Sequence, residues 1–205
     1  ADILSSLNAL AGVLMALFRR EKTGRGDRID VSMQHSTLAG LPNVLGPAMA
    51  GLPQPDPKHE RTTGGSAFYQ IYDTADGRHL VLGGQEIKFV RNLLGRLDRL
   101  DLVPLCERGP GAHQAPVIEF LREAFRQRTL ADWMAWFEGM DVSAAPVNTL
   151  REALDDPNAR AQGLVLTDER GREHIAPVVR FTLEPARPVL CEPMLDEHHS
   201  IVDES

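Results

Sequence analysis

Residues 3–20 leave few alternatives to a helix. Leu4, Leu7, Ala11, Leu14 and Phe18 recur at spacings of three and four, and Leu10, Val13 and Leu17 widen that stripe until it covers most of the cylinder. The spacing predicts a helix buried on several sides. Arg19, Arg20 and Lys22 suit its C-terminal end through the macrodipole, and Thr23-Gly24-Arg25-Gly26 supplies glycines that stop the helix and turn the chain. The next run, "RIDVSM" (28–33), reads as a strand. Helix, glycine turn and strand form half of an α/β unit. Asp2 stands just ahead of the first apolar position, where it reads as an N-cap.

A second helix is expected over 34–49. The stretch "LPQPDPKHERTTGG" (52–65) is dense in proline, charge and glycine, the composition of an exposed connection between folding units. Beyond it, 67–72 and 78–82 read as strands joined around Asp76-Gly77, a strong hairpin signal. Helices follow over 86–97, 115–127 and 130–138, the last with Thr129 as N-cap. An extended segment at 144–149 then ends at Thr149, which caps a short helix before Pro157. A further hairpin turns at 168–171. The fold class expected is α/β, with 51–66 as the linker between two folding units.

Composition narrows the function. The 205 residues carry 22 basic and 29 acidic side chains, a net charge of −7 without long blocks of one sign, which argues against a nucleic-acid surface. Cys106 and Cys191 have no partner spacing for zinc or a disulfide framework and read as reduced thiols of a cytoplasmic protein. The run from Leu7 to Phe18 reads as too short, and too soon charged, to span a bilayer. The seven histidines, including the His198-His199 pair, show no metal-ligand spacing, so no metal is expected.

"AD" before an apolar helix, "ALFRREKTGRGDRIDVSMQ", "YDTADGRHLVLGGQEIKF", "APVNTLREALDDPNARAQGLV" and "PMLDEHHSIVDE" occur in that order along the chain. Together they resemble the class III CoA-transferase family, which includes formyl-CoA and carnitine CoA-transferases and the 2-methylacyl-CoA racemases. The resemblance implies a catalytic aspartate where Asp2 stands, ahead of the helix and about twenty residues before the TGRG turn. In transferase members that carboxylate attacks the thioester to give an acyl-aspartyl anhydride and free CoA thiolate. CoA then forms an enzyme thioester and passes to a carboxylic acid acceptor. Coenzyme A enters as a substrate, with no tightly bound cofactor.

The resemblance also singles out Glu86, in Gly83-Gly84-Gln85-Glu86, as the position that in racemase members supports an acid/base histidine. Gly64-Gly65 matches a loop that closes over the aspartate in some transferases, and Met33 matches a methionine lining the cleft. Ser143 and Asp196 depart from the family pattern at places read as tolerant loops. Members are about twice as long, so the resemblance implies that this chain corresponds to a C-terminal portion, inactive by itself, with residues 1–50 as the C-terminal part of a large Rossmann-like domain, 51–66 a linker, 67–165 a small α+β domain, and 166–205 a segment returning to the large domain. They form interlocked homodimers, and neither nucleic acid nor membrane is an expected partner. A transferase, a racemase, and a non-catalytic fragment or subunit all remain open from the residues alone.

Overall fold

A computed structural model describes residues 1–53, 56–186 and 188–190. Three helices open the chain: α1 (Asp2–Thr23), α2 (Met33–Ala39) and α3 (Pro42–Met49). Gly24 ends α1 in the left-handed conformation at φ 67°, its N–H donating to the Arg20 carbonyl, as the TGRG motif predicts. The expected helix over 34–49 is two helices. Pro42 starts the second and forces Leu41 out of helical geometry.

Two expectations fail in this region. Residues 28–32 form no strand and have no ladder partner among the described residues. Helix α1 is also not buried on several sides. Ser5, Ala9, Gly12 and Ala16, a stripe of small residues, form its covered face. A Cβ on Gly12 would lie 3.1 Å from the Ile29 side chain, and one on Gly40, which caps α2, would lie 2.6 Å from the Leu4 side chain. The large side chains point away: Leu7 is 58% exposed and Phe18 66%. Small residues allow close approach, and they face the neighbours found among the described residues. With 22 residues and a mean hydropathy of 1.4, α1 is long and apolar enough to cross a membrane. The sequence reading, which counted only Leu7 to Phe18, missed this.

Residues 67–146 build a separate core. Strand β1 (Gln70–Asp73) pairs antiparallel with β2 (His79–Leu82), Tyr72 opposite Leu80. Strand β3 (Ala144–Pro146) joins the other side of β2 after a long helical excursion. That excursion is α4 (Ile87–Arg96), α5 (Val103–Glu107), α6 (Ala115–Phe125) and α7 (Leu130–Phe137); of these, α5 and the 3-10 turns at Leu100–Leu102 and Ala112–Gln114 were not foreseen. Alternation sends Tyr72, Leu80 and Leu82 inward against Val90, Leu93, Leu94, Leu121 and Phe125. Ile71 and Asp73 stay outward. Trp133 packs edge-on to Phe125 and donates its indole N–H to the Phe125 carbonyl at 2.8 Å; it is part of the core. The Asp76 carboxylate accepts the Leu130 amide at the start of α7 and the Thr74 hydroxyl, which ties the first hairpin to the helices.

The last part comprises α8 (Leu150–Asp155), α9 (Pro157–Ala161), β4 (Val165–Thr167) and β5 (Glu173–Ile175). Thr149 and Glu152 form the reciprocal cap at α8. Pro157, expected to end that helix, also starts α9, where a missing N–H costs nothing. Arg151 and Arg160 both reach Asp155 and Glu173, fastening the hairpin to the helices. Asp168 accepts the amides of Arg170 and Arg172 within the turn, and Gly171 adopts φ 76°. Cys191, the His198-His199 pair and the motif at 193–204 lie outside the described residues.

Leu93 is fully buried, so Leu93→Ala should lower unfolding free energy by ~2–5 kcal/mol. Ile71→Ala, on the 62% exposed outer face, should change it by no more than about 0.5 kcal/mol; urea unfolding of both variants checks the pair. A second expectation concerns acid. Thr74 and then the Leu130 amide hold Asp76 below its ordinary value of 3.8, and the amides and side chain of Arg172 depress Asp168. Depressed carboxylates stabilise the fold above the unfolded value and lose that contribution as pH falls through the folded one. The thermal midpoint should therefore drop below roughly pH 4, and Asp76→Asn should flatten the drop.

Candidate active site

Asp2 is the first helical residue of α1, not its N-cap; Ala1 occupies that position, and no side-chain capping bond forms. The helix begins one residue earlier than the cap reading assumed, so the carboxylate lies beside the free amides and not in front of them. It is exposed, at the end of the helix where the dipole favours negative charge. The first turn is instead tied by Ser5, whose Oγ lies 3.0 Å from the carbonyls of Ala1 and Asp2. Met33 is not a strand residue. It starts α2 and is 56% exposed, next to Ser32, whose side chain caps that helix.

Glu86 is the N-cap residue of α4. Its backbone carbonyl accepts the amides of Phe89 and Val90 at 2.9 and 3.2 Å. Its side chain makes no capping bond and is exposed. The glycines before it are held closely: a Cβ on Gly84 would lie 2.5 Å from the Phe89 ring and 2.8 Å from Ser143 Cβ. The Gly83 amide donates to the Ser143 carbonyl at 2.9 Å. Ser143, read from sequence as a tolerant loop position away from the chemistry, thus packs against the turn that carries Glu86.

Gly64 and Gly65 are built into a wall. Gly64 has φ 120°, and a Cβ on Gly65 would fall 1.7 Å from the His59 carbonyl oxygen. The Gly65 amide donates to Glu60 at 2.8 Å, and its carbonyl accepts from Gly111 at the same distance. Just beyond, the Ala67 amide donates to the buried Gln114 side chain at 2.9 Å. The Ala67 carbonyl accepts the Tyr72 hydroxyl at 2.7 Å, and burial pushes that phenol well above its ordinary value. The second half of the proline- and charge-rich stretch is therefore folded against the core, a role its composition does not show.

This wall and the rim of the sheet enclose a pocket of about 520 Å³, lined by uncharged residues that include Gly64, Tyr69, Ile71, Val81 and Gly83. Gly64 and the segment leading to Glu86 thus meet at one place. Asp2 and Met33 lie on α1 and α2, outside that lining, and no hydrogen bond or ion pair joins described residues of 1–53 to those of 56–165. Sequence reasoning missed Tyr69, Gln114 and the close contact at Gly84; of these only the paired glycine gave a readable signal. Among the described residues no three His, Cys, Asp or Glu side chains gather as a metal site.

Comparison with known proteins supplies the frame. The profile of CoA-transferase family III matches residues 1–199. A mouse alpha-methylacyl-CoA racemase is 31% identical over 189 residues, covering 91% of this chain and 49% of the relative. A human succinyl-CoA:glutarate CoA-transferase is 28% identical over 208 residues, covering 96% and 46%. A CAIB/BAIF family protein from Brucella suis superimposes with a TM-score of 0.68 at 22% identity, covering 98% of this chain and 53% of that one. The chain spans about half the length of the curated relatives it matches. With the profile running through all but the last few residues, this chain belongs to CoA-transferase family III.

Proposed function

We propose that the chain serves in an acyl-CoA:carboxylate CoA-transferase with Asp2 as the nucleophile. The observation that carries this is family membership combined with an exposed carboxylate, free of a capping bond, on the first residue of α1. An Asp2 oxygen attacks the thioester carbonyl, and the tetrahedral oxyanion collapses to an acyl-aspartyl anhydride as the C–S bond breaks and CoA leaves as thiolate. The thiolate attacks the aspartyl carbonyl and releases the donor acid, leaving CoA on the enzyme as a thioester. The acceptor carboxylate attacks that thioester to form a second anhydride, and returning CoA thiolate carries off the new acyl group. Each exchange is split into easier steps, with a leaving group of modest basicity. Backbone N–H groups near the reacting carbonyl would stabilise the oxyanions.

Under this proposal residues 1–50 belong to a larger Rossmann-like domain, 51–66 link it to the small α+β domain of 67–165, and 166–205 return to it. The lack of hydrogen bonds between described residues of 1–53 and 56–165 supports such a division. The leucine-rich side of α1 is then covered by protein belonging to the large domain and not by lipid, in a cytoplasmic homodimer. Gly64, Gly65 and Met33 belong to the substrate cleft, the first two as its fixed wall beside the pocket. CoA is a substrate, and activity requires a full family-length enzyme.

A second reading is racemisation at the α-carbon, favoured by the mouse racemase relative and by the exposed Glu86 carboxylate three residues past the pocket-lining Gly83. The two differ in solvent exchange. Acyl-CoA in deuterium oxide without acceptor should keep its α-proton under transferase chemistry and lose it under racemase chemistry. In the intact enzyme Asp2→Asn should reduce transfer to an added acid by at least ~10³-fold, and hydroxylamine should trap wild-type Asp2 during turnover. Transfer persisting at the wild-type rate would remove Asp2 from the mechanism.

A further inference from the structure

Trp136 of α7 carries two guanidinium groups at once. The guanidinium carbon of Arg96 lies 4.6 Å from the centroid of its ring, and that of Arg128 lies 5.9 Å from it and 5.0 Å from the neighbouring Trp133 ring. Arg96 belongs to the last turn of α4, where the helix dipole favours a cation. Arg128 stands just before the Thr129 cap of α7, at the end of that helix where the dipole disfavours one. Its carbonyl accepts the Ala75 amide at 2.9 Å, which holds it there. An aromatic face orients a cation without neutralising it. Arginines close by in sequence have carboxylates: Arg91 pairs with Glu107, Arg99 with Asp101 and Arg126 with Asp73. Arg96 and Arg128, both exposed, make no ion pair among the described residues.

Trp136 adds an unspent donor. Trp133 gives its indole N–H to the Phe125 carbonyl, whereas that of Trp136 meets no acceptor among the described residues. The Trp136 ring is half-buried and packs edge-on to Trp133, centroids 5.2 Å apart at 87°, so the core fixes its place.

We propose that Arg96, Arg128 and Trp136 form a binding site for a phosphomonoester dianion. Two guanidiniums drawn to one ring repel each other, and an anion bound by both removes that cost. A carboxylate is satisfied by the fork of a single guanidinium. Two separate guanidiniums and an indole N–H match a group with two charges and three acceptor oxygens. None of the three residues lines the pocket of about 520 Å³, so the site is independent of the Asp2 chemistry. The phosphoryl group has two possible sources, the 3′-phosphate of CoA and a separate phosphorylated metabolite.

Titration calorimetry of the intact enzyme tests the site, with glycerol 2-phosphate as the probe at low ionic strength and about pH 8, where a phosphomonoester is doubly charged. Arg96→Gln and Arg128→Gln should each weaken binding by about tenfold or more. Trp136→Phe, which keeps the aromatic face and loses the N–H, should weaken it by about threefold. Thermal midpoints measured alongside separate lost binding from lost fold. Equal affinity of wild type and both arginine variants, or no binding to the wild type, would overturn the proposal. Kinetics with the thioesters of CoA and dephospho-CoA then name the source. A higher KM for the dephospho-CoA thioester in the wild type, with the gap closed in Arg128→Gln, assigns the site to CoA. A gap that the substitution leaves unchanged assigns it to a separate phosphomonoester.

Discussion

The peptide of Ala67 is held from both sides by buried side chains, and the shape of the pocket depends on that grip. Its N–H meets the Gln114 amide oxygen, and its carbonyl meets the Tyr72 hydroxyl. Gln114 in turn donates to the Gly109 carbonyl at 2.8 Å. Leaving one of these buried groups unpaired costs on the order of 1–3 kcal/mol, more than a hydrogen bond typically contributes when made. The chain therefore has one low-energy way to pass from the loop at 56–65 into β1. Gly65, with no room for a side chain above His59, fixes the same path sterically. The wall that results is rigid where composition suggests flexibility.

This rigidity bears on how the two halves of the proposed chemistry are organised. Asp2, the proposed nucleophile, stands on α1, among helices many of whose large apolar side chains are exposed. The pocket, with Glu86 nearby, belongs to the sheet and its helices, which bury a complete core of their own. On the proposed reading the small unit supplies a preformed surface, and the helical unit supplies the reactive group. Bringing a carboxylate to a fixed apolar pocket lowers the orientation cost of reaction.

Much of the small unit was legible because its signals are local. Asp76-Gly77 marks a turn through the left-handed conformation of Gly77, and Thr129 and Thr149 cap helices through bonds to amides three residues on. The second hairpin turned where Asp168 to Gly171 indicated. The N-terminal helices were misread for a reason equally physical. Hydrophobic spacing shows which face of α1 seeks burial, but the neighbours within the chain cover the small-residue face instead. The strand expected at 28–33 has no pairing partner among the described residues, and Met33 became a helix start because Ser32 caps the turn. Gln114 could not be found at all. Its role depends on Ala67, 47 residues away in sequence, and a glutamine ahead of a helix gives no hint of burial.

The claim most in need of a direct test is that the wall beside the pocket is fixed by the Gln114 amide. Hydrogen exchange of the Ala67 N–H measures it. In the wild type this amide should exchange as slowly as those of β2, and in Gln114→Leu it should exchange much faster while β2 is unchanged. Equal protection of Ala67 in both proteins, or fast exchange already in the wild type, would contradict the claim.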